Sequence, residues 1–198
     1  QEEGYPARDH PQAFQYAHAH FLHKTVHAGE AYGPLSIFDA LTNLYADRIG
    51  HGYKLFTTEN LDEDGPLNPE HFQQQLLNII ADRRIAVEVC LSSNLQTNPS
   101  IKNIKQHKLK NMLENRLSIV LCTDNRLISN TSVTDEYWLA CSNFDISLKQ
   151  LRDIVTYGFK RSFFPGKYSE KRAYVRSVLT HFDRTLEEFD IRADGLSR

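Results

Sequence analysis

Residues 117–125, LSIVLCTDN, join an apolar, β-branched run directly to polar residues. Residues 85–94 (IAVEVCLSSN) repeat this arrangement, and residues 24–29 (KTVHAG) and 47–52 (DRIGHG) have a shorter version of it. Short apolar runs that end in polar or turn-forming residues are typical of buried strands. We therefore predict four strands, each followed by side chains that can take part in chemistry.

Longer segments with helical periodicity lie between and after these strands. We predict helices over 11–23, 33–46, 71–83, 101–116, 134–144, 147–163 and 169–189. Strands that alternate with helices are typical of βα units and a parallel sheet. Within one domain, 1–198, we expect βα units over 24–132 and a helical tail over 133–198.

Composition excludes several classes of function. The chain has 198 residues, of which 40% are hydrophobic, and 23 Lys and Arg against 25 Asp and Glu. Balanced charge gives no reason to expect nucleic acid as a partner, and no apolar run approaches the length of a membrane helix. Three distant cysteines without a CxxC motif (Cys90, Cys122 and Cys141) favour a reducing, cytoplasmic location.

The polar residues at the strand ends are the informative feature. In a parallel sheet the carboxyl ends of all strands meet at one edge, where α/β proteins place their chemistry. The ends predicted here hold His27 with Glu30, His51, residues 92–94 and residues 123–125. Packing alone does not explain polar groups at four consecutive strand ends.

Each residue taken singly leaves an alternative open. Asp124 emerges from a buried strand, where a carboxylate needs a metal, a cation or several donors, although an Asp here can also cap the next helix. His27 could be a core histidine, and Glu30 a carboxylate at a helix start. His51 has glycine on both sides, which allows close backbone approach or positive φ and indicates a site.

Taken together, these residues favour a metal hydrolase. Imidazole nitrogen and carboxylate oxygen are zinc ligands, and bound zinc lowers the pKa of its water to about 7. A turn at Gly29 would free Glu30 from strand alternation, so that it can act as an acid beside the metal. His51 would orient or deprotonate the water.

Four motifs then resemble one known family. HAGE (27–30), RIGHG (48–52), CLSSN (90–94) and CTDN (122–125), in this order, are similar to motifs of the adenosine deaminase family of zinc hydrolases. The resemblance covers nearly the whole chain. It implies hydrolytic removal of the 6-amino group of adenosine or a related purine, with one catalytic Zn²⁺. It also implies the α/β fold of a (β/α)8 TIM barrel, with this chain as the C-terminal half: strands 5–8 and the helical tail.

The same resemblance implies roles for individual residues. His27 and Asp124 would be zinc ligands. Glu30 would protonate the purine ring nitrogen next to the reacting carbon, and His51 would activate or orient the attacking water.

Two further residues are expected to contact a purine nucleoside or nucleobase. Asn125 stands where the family usually has a second Asp that contacts the five-membered ring of the purine. An amide can donate and accept hydrogen bonds, whereas a carboxylate only accepts, so the preferred purine stays open. Gly29 is the second expected substrate contact.

The family takes its other two zinc ligands from a His-x-His pair on the first barrel strand. His18 and His20 have this spacing, but they lie in a predicted helix, where positions two apart point about 200° away from each other. We interpret them as surface histidines. A whole barrel needs about 250 residues. We therefore expect the N-terminal half of the barrel to come from a separate or cleaved segment.

Two alternatives belong to other functional classes. One is a catalytically silent nucleoside-binding or regulatory relative, although silencing would most simply remove Glu30, His51 or Asp124, and all three are present. The other is a different zinc amidohydrolase, which does not explain the Glu of HAGE.

Overall fold

The computed structural model describes residues 4–58, 61 and 68–191, so that part of the predicted helical tail, 192–198, lies outside the described residues. Four strands form one sheet in the order β1-β2-β3-β4, and every neighbouring pair is parallel. The strands are β1 (Thr25–Ala28), β2 (Arg48–His51), β3 (Ala86–Val89) and β4 (Ser118–Leu121). The predicted parallel α/β architecture is confirmed.

Helices precede the first strand, connect the strands and follow the last one. They are α1 (Pro11–Ala19), α2 (Pro34–Thr42), α3 (Pro69–Asp82), α4 (Leu91–Thr97), α5 (Leu109–Glu114), α6 (Arg126–Ser129), α7 (Val133–Asn143), α8 (Leu148–Lys160) and α9 (Tyr168–Glu188). Short 3-10 helices cover Ala7–Asp9, Tyr53–Phe56 and Ile104–Gln106. Helices α1, α2 and α3 each have proline in the first turn, where the missing N–H costs no hydrogen bond.

The two faces of the sheet differ in chemistry. Along β1, Val26 and Ala28 are buried on one face, while Thr25 and His27 are exposed on the other. The second face is polar beyond β1, since Thr25 Oγ1 donates to Glu88 at 2.9 Å and Arg48 forms an ion pair with Glu88. The apolar core includes Ile37, Leu44, Ile49, Leu55, Ile80, Val87 and Ile119.

Both lateral edges of the sheet are open within the described part of the chain. There, β1 pairs only with β2, and β4 pairs only with β3. In a closed barrel every strand has a neighbour on each side, so the described residues do not close a barrel by themselves.

The structure corrects the predicted extent of the strand in 85–94. Strand β3 ends at Val89, and α4 begins at Leu91, so that Ser92, Ser93 and Asn94 lie in a helix instead of at a strand end. The cause is distant in sequence. The buried carboxylate of Glu136, in α7, accepts the backbone N–H groups of Leu91 at 2.9 Å and Ser92 at 3.2 Å, and so caps α4.

Several predicted helices are shorter than expected, among them α2, which ends at Thr42 instead of Ala46. Helix α1 ends at Ala19, because Phe21 adopts a left-handed backbone with φ 57°. The segment 101–116 divides into a 3-10 turn and α5, with the extended residue His107 between them. Its ring accepts the N–H of Leu109 at 3.0 Å, an interaction that starts the second piece.

The chain forms two compact units, one up to Phe144 and one from Asp145 onward. Helix α7 therefore belongs to the unit that contains the sheet. The second unit consists of α8 and α9, which pack against each other.

Candidate active site

The first site residue, His27, lies on β1 at the carboxyl edge, defined here as the edge formed by the carboxyl ends of β1–β4. Gly50 of β2 is its register partner, and a Cβ atom on Gly50 would come within 2.6 Å of His27 Cδ2. Only glycine lets the imidazole lie this close to the neighbouring strand. The rings of His27 and His51 meet edge to face, with centroids 4.8 Å apart.

A glycine turn brings Glu30 to the same place. Gly29 has φ +68°; its N–H donates to Ser36 Oγ at 2.9 Å, and its carbonyl accepts the N–H of Lys54 at 2.7 Å. After this turn, Glu30 Oε2 lies 3.3 Å from His51 Nε2. The turn expected at Gly29 is present, and the N–H of Gly29 is already engaged within the protein.

His51 lies at the centre of the site. Its side chain is only 1% exposed and its backbone is left-handed, with φ 66°. A non-glycine residue in this conformation stores about 1–3 kcal/mol, a cost that concentrates at functional sites. Burial lowers the pKa of His51, and the nearby Glu30 carboxylate opposes that shift.

Asp124 reaches the site from the loop after β4. It also has a left-handed backbone (φ 56°), its Oδ2 lies 4.0 Å from His51 Nε2, and it accepts a hydrogen bond from Ser93 Oγ at 2.8 Å. Its side chain is 31% exposed in this half of the barrel. The helix cap considered for Asp124 is formed by the next residue instead. Asn125 Oδ1 accepts the N–H of Ile128 at 3.2 Å and so caps α6.

These side chains suit a metal ion. Ligand atoms of His27, Glu30 and His51 lie within 4.8 Å of one another, and Asp124 adds an oxygen beside His51. Two imidazoles and two carboxylates are a donor set that zinc accepts.

His18 and His20 lie apart from this cluster. His18 stacks on Tyr45 with ring centroids 4.2 Å apart, and His20 Nδ1 is 2.8 Å from the carbonyl oxygen of Tyr16. Both histidines are exposed. Their placement agrees with the interpretation of surface residues.

Sequence reasoning missed two residues behind the site. Asn94 Nδ2 is 3.2 Å from His51 Nδ1, and Asn94 Oδ1 is 3.1 Å from His107 Nε2. All three side chains are at most 2% exposed. Asn94 belongs to the CLSSN motif, which suggests no role for it, whereas His107, in the lysine-rich stretch KQHKLK, gives no local signal at all.

Fold and site together define a class: part of a (β/α)8 barrel with imidazoles and carboxylates at the carboxyl ends of its strands, as in barrel hydrolases that bind a metal. No helix in the described ranges is long and apolar enough to cross a membrane.

Comparison with known proteins identifies the family. The sequence model of the family described as "Adenosine deaminase" matches residues 1–180. An adenosine deaminase of Mycobacterium avium is 34% identical over 178 residues, which are 90% of this chain and 48% of that protein. The chain belongs to the adenosine deaminase family, and it spans about half the length of the curated relatives it matches.

Solved structures agree on the fold. An amidohydrolase from Burkholderia ambifaria with bound Zn superposes with a TM-score of 0.78 at 21% identity, covering 97% of this chain and 49% of that one. The Arabidopsis N6-mAMP deaminase superposes with a TM-score of 0.65 at 27% identity, covering 86% of this chain and 45% of that one. The predicted partial barrel is confirmed.

Proposed function

We propose that this chain provides the catalytic half of a zinc-dependent hydrolase that converts adenosine or a related 6-aminopurine into the 6-oxo product and ammonia. The observation that supports this most directly is the contact between Glu30 Oε2 and His51 Nε2, 3.3 Å apart, beside His27. This contact brings together Glu30, the proposed proton donor, His51, the proposed partner of the attacking water, and His27, a proposed metal ligand. The family and its named deaminases support the reaction type.

His27 and Asp124 are the proposed zinc ligands in this chain. A catalytic zinc usually has three protein ligands, so the remaining ones would come from the first half of the barrel. When bound, zinc would supply a water activated near neutral pH. The hydrogen bond from Ser93 holds one oxygen of Asp124 in place, which is the support that a ligating carboxylate needs.

Glu30 is the proposed proton donor to the purine ring. Its side chain is 16% exposed, and its second oxygen lies 3.4 Å from Thr97 Oγ1, a hydroxyl that donates to the closer carbonyl of Ser93 at 3.0 Å and can accept a hydrogen bond from protonated Glu30. One oxygen therefore faces His51 and the other faces α4, which fixes the carboxyl plane. A donor in fixed orientation can deliver its proton to one ring atom.

Asn125 and Gly29 are the proposed substrate contacts. The side-chain oxygen Oδ1 of Asn125 caps α6. The side-chain NH₂ group of Asn125 can therefore donate to an acceptor atom of a purine. The side chain is exposed at the carboxyl edge. For Gly29, whose N–H is donated to Ser36, a substrate contact stays a prediction.

The remaining half of the barrel is proposed to be a segment outside residues 1–198. The length match to about half of each relative and the open edges of β1 and β4 support this proposal. We call this chain together with that segment the completed barrel. If residues 1–198 alone bound zinc tightly and deaminated adenosine, the proposal would be wrong.

A cytoplasmic location is proposed as well, because Cys90, Cys122 and Cys141 are free thiols.

The activity is tested by ultraviolet absorbance of the completed barrel with adenosine, adenine, AMP and N6-methyl-AMP, with zinc content measured in the same samples. We expect a spectral change with at least one purine. Zinc-loaded protein without any spectral change would exclude deamination and favour a silent binding relative.

The same panel of purines tests the role of Asn125. The variant Asn125→Asp keeps an oxygen that caps α6, so it should change the preference among purines and leave stability unaltered.

A further inference from the structure

A buried line of hydrogen bonds runs from the backbone of α5 to His51. It consists of the Leu109 N–H, the ring of His107, the side-chain amide of Asn94 and the ring of His51, joined at 3.0, 3.1 and 3.2 Å. A backbone N–H can only donate, so the first group in the line fixes the direction of every hydrogen bond after it.

The direction follows group by group. His107 Nδ1 accepts from Leu109, so the single proton of a neutral His107 ring sits on Nε2 and is donated to Asn94. Asn94 must then present its oxygen to His107 and its NH₂ group to His51. His51 Nδ1 therefore accepts, and the proton of a neutral His51 ring sits on Nε2, which faces Glu30 Oε2 at 3.3 Å.

Burial keeps the line from rearranging. His107 is 2% exposed and Asn94 is 1% exposed, so water does not offer either group another partner. Burial also lowers the pKa of His107 to about 4, so its ring is neutral near pH 7 and has one N–H. Reversing any link would leave two donors or two acceptors facing each other in the interior, which is costly.

We propose that Asn94 and His107 are positioning residues that hold His51 as the neutral tautomer with its proton on Nε2. In this tautomer the nitrogen that faces the site donates a hydrogen bond and has no lone pair with which to take a proton. Insofar as the proposed function holds, His51 orients the oxygen of the attacking water by donating to it. The line thus selects between the two roles that the sequence leaves open for this residue.

The test is a two-bond ¹H–¹⁵N correlation spectrum of the completed barrel labelled with ¹⁵N-histidine, recorded near pH 7, because this spectrum distinguishes the two neutral tautomers and the imidazolium ion. Signals of His51 and His107 are assigned by their loss in His51→Gln and His107→Gln. We expect the Nε2–H pattern for both rings. A proton on Nδ1 of His51, in the neutral or the charged form, would overturn the proposal.

Asn94→Asp then reverses the last link. A carboxylate cannot donate, so Nδ1 of His51 should acquire a proton, while His107 keeps its Nε2–H pattern. The matched control is Asn98→Asp near the same helix, where the side-chain oxygen alone is used, accepting from Ser100. A spectrum of His51 that is unchanged in Asn94→Asp, or changed equally by Asn98→Asp, would contradict the proposal.

Changes at His107 avoid the new buried charge of Asn94→Asp. His107→Gln can still donate to Asn94 and should preserve the Nε2–H pattern of His51. His107→Leu removes that donor, so the amide is free to turn and His51 should show a mixture of both tautomers. A pure Nε2–H pattern in His107→Leu would show that the line does not set the tautomer.

Activity separates this inference from the proposed function. In a protein that deaminates purines, Asn94→Asp should lower kcat by about 10²-fold with little change in KM. If no purine is turned over but the tautomers are as expected, the proposed function fails and the positioning role stands. If purines are turned over but His51 has its proton on Nδ1, the reverse holds.

Discussion

The carboxyl edge and the α8–α9 pair differ in backbone conformation and in the kind of polar contact they contain. At the edge, His51 and Asp124 have left-handed backbones, and a buried polar line ends on His51. In the α8–α9 pair, α8 begins at a capping box formed by Ser147 and Gln150. An ion pair between Arg152 and Asp183 joins the two helices. The residues proposed for chemistry therefore combine left-handed backbones with buried polar contacts, whereas the helix pair depends on a local cap and a partly exposed ion pair.

The largest effect expected at the edge is that of Glu30→Gln in the completed barrel. If Glu30 is the proton donor, turnover should fall by about 10³-fold while zinc is retained, because an amide cannot deliver the proton. Steady-state kinetics and zinc content measured on the same preparation test this. The cluster also makes Glu30 a possible ligand.

Zinc content therefore decides between the two roles of Glu30. Loss of zinc together with loss of turnover would make Glu30 a ligand, and unchanged turnover would leave it without either role. Glu114→Gln, an exposed glutamate that pairs only loosely with Lys110 at 3.9 Å, is the control and should change neither quantity.

The second prediction concerns pH and the stability of the unit that contains the sheet. Burial lowers the pKa of His107 from an ordinary 6.5 to about 4 in the folded state. Since the unfolded chain binds the proton more readily, the stabilisation is complete above pH 6.5 and is lost as the pH falls toward 4, a loss of roughly 3 kcal/mol. Burial of His51 acts in the same direction.

His107→Gln isolates the contribution of His107. Urea unfolding of metal-depleted protein at pH 7 and pH 4.5 should show a smaller acid loss for this variant than for the natural sequence. His71→Gln, at an exposed histidine of α3, should keep the full loss. An equal loss in all three proteins would show that His107 does not couple stability to pH.

The sequence was sufficient for the helices of the tail and for the residue types at the edge, because both depend on local patterns. Helices α7, α8 and α9 follow from their apolar periodicity. The strands follow from their β-branched runs. The glycines on both sides of His51 are a local signal of its unusual backbone.

The start of α4 and the line behind His51 could not be predicted in this way. A carboxylate 45 residues further along the chain, that of Glu136, caps α4. The tautomer of His51 depends on the N–H of Leu109. Both depend on contacts between segments far apart in sequence, which periodicity and propensity do not encode.

The third prediction compares the same substitution, glycine to alanine, at one position in each region. Gly50→Ala would place a Cβ 2.6 Å from His27 Cδ2, so the ring must move and zinc affinity should fall by about tenfold. Gly166→Ala, in the unit from Asp145 onward, meets Glu170 and Phe164 instead and should leave zinc affinity unchanged even if stability falls. Titration with a zinc-competing chelator measures both. Equal affinities in Gly50→Ala and the natural protein would mean that His27 does not bind the metal.

The smallest effect is expected in the α8–α9 pair. Arg152 donates from Nε and Nη2 to the two oxygens of Asp183 at 2.9 and 2.8 Å, and this hydrogen bonding lowers the pKa of Asp183. Because the Asp183 side chain is 46% exposed, solvent screens the pair, and Asp183→Asn should cost less than about 1 kcal/mol. The lowered pKa means that this cost is present at neutral pH and disappears as the pH falls through the folded-state pKa.

Unfolding of Asp183→Asn at low and high salt tests whether this ion pair is merely a surface contact. The difference from the natural protein should shrink in about 1 M salt, where exposed charges are screened over about 3 Å. Asp153→Asn, which removes an exposed carboxylate next to Arg152, is the matched control and should have a smaller effect at low salt. A loss of several kcal/mol in Asp183→Asn would mean that the helix pair depends on buried polar contacts as strongly as the carboxyl edge does, and the contrast between the two regions would fail.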